Sequence, residues 1–194
     1  MRAFRSKASH SYLYASILIM NLQPVHLRNE WVQLCPLQSA DLDRLYAVAS
    51  DPLIWAQHPN PDRYQRPVFE TYFKGAMESG GAFLILDATG EVIGSSRFYD
   101  HVREAREVKI GYTFFARSCW GKPYNRNVKR LMLEHAFQSV DRVIFHVGAG
   151  NIRSQRAMEK IGAVKVGEED VAYYGEATRR NVVYAMTKKE FDQL

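Results

Sequence analysis

Cysteine is scarce in this chain: Cys35 and Cys119 stand far apart, with no C-x-x-C pair. That pattern excludes a disulfide framework and a cysteine zinc site, and it suits a reducing compartment. The six histidines are scattered without H-E-x-x-H, so metal catalysis is not expected and no residue is read as a metal ligand. A Gly-x4-Gly-Lys-Ser/Thr loop is missing, and no Gly-x-Gly-x-x-Gly follows a strand, so the common nucleotide fingerprints are absent. No apolar run is long enough to span a bilayer. There is no internal repeat, linker or low-complexity tract.

Acidic residues are missing from one long span. Between Val108 and Leu133 there is no Asp or Glu, while Lys109, Arg117, Lys122, Arg126, Lys129 and Arg130 all fall inside it. Within that span an alternating apolar run, VKIGYTFF, ends in a short Trp120-Gly121-Lys122 turn, and a basic helical pattern follows at once. Strand, turn and acid-free helix start make a good seat for a phosphorylated ligand. The first N–H groups of a helix lack partners, and its dipole favours negative charge there. The chain as a whole carries a net charge of +5. No basic stripe is interleaved with aromatics, so nucleic-acid binding is not expected.

What is present reads as one mixed α/β domain, with 46% hydrophobic and 24% charged residues. Residues 31–37 alternate as a first strand. Ser39 is the expected N-cap of a helix carrying Leu42, Leu45, Tyr46 and Ala49. Asp51-Pro52 stops that helix. Pro67 opens a second helix over Val68–Ser79, closed by Gly80-Gly81. Ala82–Asp87 and Val92–Tyr99 form a hairpin across Ala88-Thr89-Gly90. Glu107–Phe115 is a strand, Asn125–Ser139 a helix, Arg142–Val147 a strand and Ile152–Ile161 a helix closed by Gly162. Val164–Val166, Val171–Tyr174 and Arg180–Met186 read as short final strands.

The N-terminus is set apart. Arg2, Arg5 and Lys7 precede an apolar run from Tyr12 to Met20, which imitates a signal peptide, but no small-x-small cleavage site follows. Residues 1–20 are read as an extension that is not native or is disordered, with Met20 the expected native start; an extra element packing on the domain is the other reading. Residues 21–194 form the single domain.

The order of pieces carries a resemblance. VIGSSRFY (92–99), VKIGYTF (108–114), WGKPYN (120–125), KRLMLEHAF (129–137), NIRSQRAMEKIGA (151–163) and, more loosely, TRRNVVYAMTKKEF (178–191) together resemble the GNAT acetyltransferases, in particular their RimJ/RimL-like branch. The resemblance implies the GNAT fold, a mixed central sheet of about six to seven strands flanked by about four helices. It implies direct transfer of an acetyl group from acetyl-CoA, a cosubstrate, to a primary amine, either a protein N-terminus or a small amine. A cytoplasmic enzyme without membrane contact is expected, and a homodimer is compatible with it.

Carried over residue by residue, the resemblance places the pyrophosphate on the turn and helix start at Trp120, Gly121, Lys122, Tyr124, Asn125 and Arg126. Arg117, Lys122 and Arg126 are the phosphate-binding side chains. Tyr112 and Phe114 lie on the strand whose backbone would meet the thioester, with Gly111 permitting a bulge or marking close packing. Asn151 would touch the pantetheine arm or cap its helix. Three positions depart from the family. Pro123 replaces a glycine and removes one N–H. Lys109 replaces a carboxylate, which leaves Glu107 as the candidate base through a water. Met158 replaces a tyrosine, which leaves Ser154 as the candidate proton donor. Tyr173 and Tyr174 are further donors without specific support, and His135 and His146 are read as structural. These departures also motivate a second reading, a non-catalytic acetyl-CoA or acyl-CoA binding module on the same fold.

Overall fold

The computed structural model describes residues 19–194. Residues 1–18, which hold most of the expected N-terminal extension, lie outside the described residues. Met20 is buried in the core.

Among the described residues seven strands form one sheet: β1 (Val32–Pro36), β2 (Ala82–Asp87), β3 (Val92–Val102), β4 (Glu107–Phe115), β5 (Arg142–Gly148), β6 (Val164–Val171) and β7 (Arg179–Thr187). The helices are α1 (Leu42–Ala49), α2 (Pro52–Trp55), α3 (Arg66–Glu78), α4 (Tyr124–Ala136), α5 (Ile152–Lys160) and α6 (Lys188–Phe191). The expected mixed α/β architecture is present. Its four long helices are joined by two short ones, α2 and α6, that carry too few residues for a periodic signal. Strand order is β1-β2-β3-β4-β5-β7-β6. Every neighbouring pair is antiparallel except β4 and β5, which are parallel and linked by the crossover helix α4.

Helices cover both faces of the sheet, and each face has its own core. On one side Val128, Met132, Leu133 and Ala136 of α4 and Met158 of α5 pack with Val108, Ile110, Val143 and Phe145. On the other, Leu45 and Ala49 of α1 and Phe69, Tyr72, Phe73 and Ala76 of α3 pack with Trp55, Leu84 and Phe114. The apolar spacing along α3 and α4 follows the helical period, which is why both could be placed from sequence. No described helix is long and apolar enough to cross a membrane.

Two local expectations are corrected. Ser39 does not cap α1. It opens a short 3-10 turn, Ser39–Asp41, in which the Gln38 N–H donates to Asp41 Oδ2 at 2.9 Å. β6 is one strand paired along β7, with a shift between Lys165 and Gly167, and Tyr173-Tyr174 belongs to the connection beyond it. The stretch Glu168-Glu169-Asp170 hid that strand, because an edge strand with exposed charge lacks apolar alternation.

Candidate active site

β4 and β5 are hydrogen-bonded over three residues only, Glu107–Lys109 against Arg142–Ile144. Beyond that point they diverge, and the β4 edge offers backbone groups that no strand pairs. The gap opens into a cavity of 680 Å³ lined by residues 110–115, Phe145–Gly148, the first turn of α4 and one face of α5.

A bulge shapes the β4 side. The β3–β4 register shifts between Ser95 and Arg97, and Tyr112 takes a left-handed φ of 54°. A non-glycine residue there carries strain, of order 1 kcal/mol or more. Tyr112 is held in it from several sides. Its carbonyl accepts from the Tyr72 hydroxyl at 3.1 Å, and the Arg97 guanidinium lies 3.8 Å from its ring centre. Gly111 has a different job: a Cβ there would lie 2.9 Å from the Tyr99 ring, so glycine lets Tyr99 cross β4.

The α4 end lacks a side-chain cap. Pro123 occupies the N-cap position, and the first helical bond runs from the Asn127 N–H to the Pro123 carbonyl. The N–H groups of Gly121, Tyr124, Asn125 and Arg126 have no acceptor among the described residues. Lys122 does not join them, since its N–H donates to Cys119 O at 3.3 Å. Gly121 adopts φ 76° with open space around it. Together these groups form a cradle suited to an anion beside Lys122 and Arg126.

The α5 end is built differently. Asn151 Oδ1 accepts from the Ser154 N–H at 3.1 Å and closes the first turn. Arg153 stacks on Trp120, 3.9 Å from its ring centre, and donates to Ile54 O at 2.8 Å, tying α5 to α2. Arg153, Arg156 and Lys160 bring further positive charge to the cavity wall.

A polar chain crosses the α3 side of the sheet at the gap. His146 of β5 lies 2.5 Å through Nε2 from Glu169 Oε1, and its Nδ1 lies 3.5 Å from the Tyr99 hydroxyl. The carboxylate accepts from the Nε2–H, so Nδ1 is the lone-pair nitrogen. Burial, followed by the nearby Lys109 charge, outweighs Glu169 and Asp100 and holds the imidazole below its ordinary pKa. A second group sits beside it. Arg63 is buried, pairs with Glu176, and donates to His58 Nε2 at 3.1 Å. His58 Nδ1 accepts from the Asn60 N–H at 3.0 Å and also lies 3.2 Å from Asn60 O. A smaller cavity of 370 Å³, between α3, β3 and the residues after β6, shares Tyr112, His146 and Tyr173 with the larger one. The two spaces therefore meet at the gap.

Most residues expected at the cofactor come together here: Tyr112, Phe114, Trp120, Gly121, Lys122, Asn125, Arg126, Asn151 and Ser154 line the larger cavity. Three do not. Glu107 sits at the paired end of β4, about 13 Å along the strand from Gly111, and pairs with Arg142 at 3.4 Å. Its assignment as base is corrected: sharing a strand face with the site does not bring it there. Arg117 turns away to pair with Asp51, because the short 3-10 turn Arg117–Cys119 points it toward α2. The Tyr124 ring packs edge-on against Trp31, at 6.1 Å, and only its backbone faces the cradle. Lys129, His146, Arg63 and the α5 arginines were missed as site residues. The pair Arg153 and Arg156, one helical turn apart, was the legible signal for the last.

The chain matches the family model described as the acetyltransferase (GNAT) domain over residues 32–164. No curated protein matches it. Among solved structures it is similar to one assigned as an acetyltransferase from T. thermophilus, at 29% identity and TM-score 0.69, over 86% of this chain and 90% of that one. It shares the fold of Mycobacterium smegmatis RimJ in complex with CoA-disulfide, at 19% identity and TM-score 0.64, over 82% and 83%. It also shares the fold of Vibrio cholerae spermidine N-acetyltransferase in complex with CoA and spermine, at 15% identity and TM-score 0.66, over 84% and 99%.

Proposed function

The chain belongs to the GNAT acetyltransferase family and is an acetyl-CoA-dependent acyltransferase, and we propose that its acceptor is a primary amine, a protein N-terminus or a small amine, as in the RimJ/RimL-like branch. The observation that carries this reading is the gap between β4 and β5, with an uncapped helix end at one side and a second cavity meeting it at His146. The solved relatives lend support in their own terms, one being a RimJ and another holding CoA with spermine.

In this reading the free N–H groups of Gly121, Tyr124, Asn125 and Arg126, with Lys122, Arg126 and the α5 arginines, hold the phosphates of acetyl-CoA. The unpaired β4 edge beyond Lys109 orients the thioester carbonyl and donates to the developing oxyanion. The amine arrives through the smaller cavity. His146 takes its proton on Nδ1, with Glu169 fixing the ring through Nε2. Ser154, whose hydroxyl has no partner among the described residues, lines the donor side. The free thiols of Cys35 and Cys119 support a cytoplasmic setting. The exposed Val164 and Val166 of the edge strand β6 support a homodimer.

The test is CoA release in the presence of a panel of peptides with free N-termini and small polyamines. Amine-dependent release is expected, and His146→Gln should lower kcat by roughly 100-fold or more with acetyl-CoA affinity intact. Because the working form is the neutral imidazole, activity should be full above its lowered pKa and fall as pH drops through it. Acetyl-CoA binding without release for any amine would contradict the proposal.

A further inference from the structure

Lys129 reaches from α4 into the cleft and is almost wholly enclosed, with 2% of its surface exposed. Its ammonium faces no carboxylate. Nζ donates to Thr113 Oγ1 of β4 at 2.6 Å and stands 5.8 Å from the centre of the Phe145 ring on β5. It therefore bridges the two strands at the place where they part. Thr113 sits in the β4 bulge, and its hydroxyl continues to Ser96 Oγ at 2.8 Å. A lysine ammonium has three protons to place, and Thr113 takes one of them; no other acceptor lies near among the described residues. Burying a cation so poorly paired is costly, so burial alone lowers its pKa to about 7. Structural lysines usually keep the ammonium in water or beside an acid. This one is held in the cavity where a thioester would be broken.

We infer that Lys129 supplies the proton to the leaving sulfur of acetyl-CoA, in place of the tyrosine that Met158 replaces on α5. The inference rests on the thioester lying in the β4–β5 gap. The amine nitrogen forms its bond to the thioester carbonyl carbon and yields its proton to His146. The carbon–sulfur bond breaks, its electron pair stays on sulfur, and a proton moves from Lys129 Nζ to that sulfur. The amide and the CoA thiol leave, Lys129 is left neutral, and the two residues reset by exchanging one proton with solvent. The pairing is chemically matched. A developing thiolate is the anion that an unpaired buried ammonium lacks, and each disfavoured charge relieves the other. Thr113 and Ser96 hold Nζ in place. The other groups at the cleft that carry charge or titrate are Lys122 just before α4, Arg126 of α4, Arg153, Arg156 and Lys160 of α5, His146 of β5, His58, Arg63, Cys119, Tyr112 and Tyr173; burial above all pushes the two tyrosines and the Cys119 thiol up, which makes each a poorer proton donor.

The test compares wild type with Lys129→Met and Lys129→Arg. Thermal melting and calorimetric titration with acetyl-CoA first establish that each variant is folded and loaded. The direct readout is the ultraviolet absorbance of the thiolate of bound CoA against pH. In wild type the bound thiol should ionise at lower pH than free CoA. Lys129→Met should lose that shift and lower kcat roughly 100-fold, with acetyl-CoA affinity within about threefold. The alkaline fall in wild-type activity, produced as the ammonium deprotonates, should vanish from the variant's profile. Lys129→Arg should keep a thiolate shift without restoring turnover, since a guanidinium keeps its proton. A Lys129→Met enzyme that binds acetyl-CoA, turns over as wild type and leaves the thiol titration unmoved would overturn the role. So would mass spectrometry that found an acetyl group on Lys129, which would make it a nucleophile. A wild-type protein that binds no acetyl-CoA would overturn the cleft reading and this role together.

Discussion

Two helices open onto one cleft and treat their first turns in opposite ways. α5 closes its own end: Asn151 accepts from the Ser154 N–H, and the Arg153 N–H donates to Gln57 Oε1 at 3.1 Å. α4 leaves the N–H groups of Tyr124, Asn125 and Arg126 without acceptors among the described residues, with no acidic residue in its first turn. A buried helix end must find partners, and an exposed one stabilises itself with a cap where it can. An end that does neither, ringed by cations, is shaped for a ligand that brings its own negative charge. The first turn of α5 offers the cleft side chains alone, whereas that of α4 also offers open backbone N–H groups.

The contrast can be broken most forcefully at Arg126. Arg126→Glu places an anion where phosphates are expected, and should weaken acetyl-CoA binding by about 2–3 kcal/mol, roughly 30–150-fold. Folding should be unharmed, because an acid in the first turn suits the helix dipole. Calorimetric titration and a melting curve read the two effects separately. Asn151→Ala addresses the other helix and should do the reverse: stability falls by about 1 kcal/mol in a denaturant titration while acetyl-CoA affinity stays put. A large loss of affinity there would restore the pantetheine contact for Asn151 that the capping bond makes unnecessary. Pro123→Gly sharpens the comparison by giving the α4 end one more N–H. Affinity should rise by less than about tenfold, and stability should drop by about 1 kcal/mol through the freer unfolded chain. The smallest effect belongs to Glu107→Gln. Its partner is Arg142 at a half-exposed strand end, so stability should change by less than about 1 kcal/mol and kcat by less than about twofold.

The same two helices explain how far the sequence could be read. The α4 end was legible because an acid-free, basic stretch after an alternating strand leaves a chemical trace in the chain itself. Asn151 was legible as a cap for the same reason, since capping is a local matter. His146 was not: its neighbours Phe145 and Val147 read as a plain buried strand. Its partners Tyr99 and Glu169 come from β3 and β6, brought together only by the sheet order and by a glycine that lets Tyr99 cross β4. Lys129 sat within the same acid-free basic run as the helix start, and nothing local told it apart from Arg130, which is exposed and paired with Glu134 at 2.8 Å. Glu107 failed in the opposite direction. Alternation put it on the correct strand face, but three residues of β5 pairing hold it at the closed end.

The most direct measurement is peptide-resolved hydrogen exchange of the wild-type protein with and without saturating acetyl-CoA. New protection is expected over residues 121–126, where free N–H groups meet the phosphates, and little change in the first turn of α5, whose donors are already taken. Protection confined to α5, or none at the start of α4, would contradict that expectation.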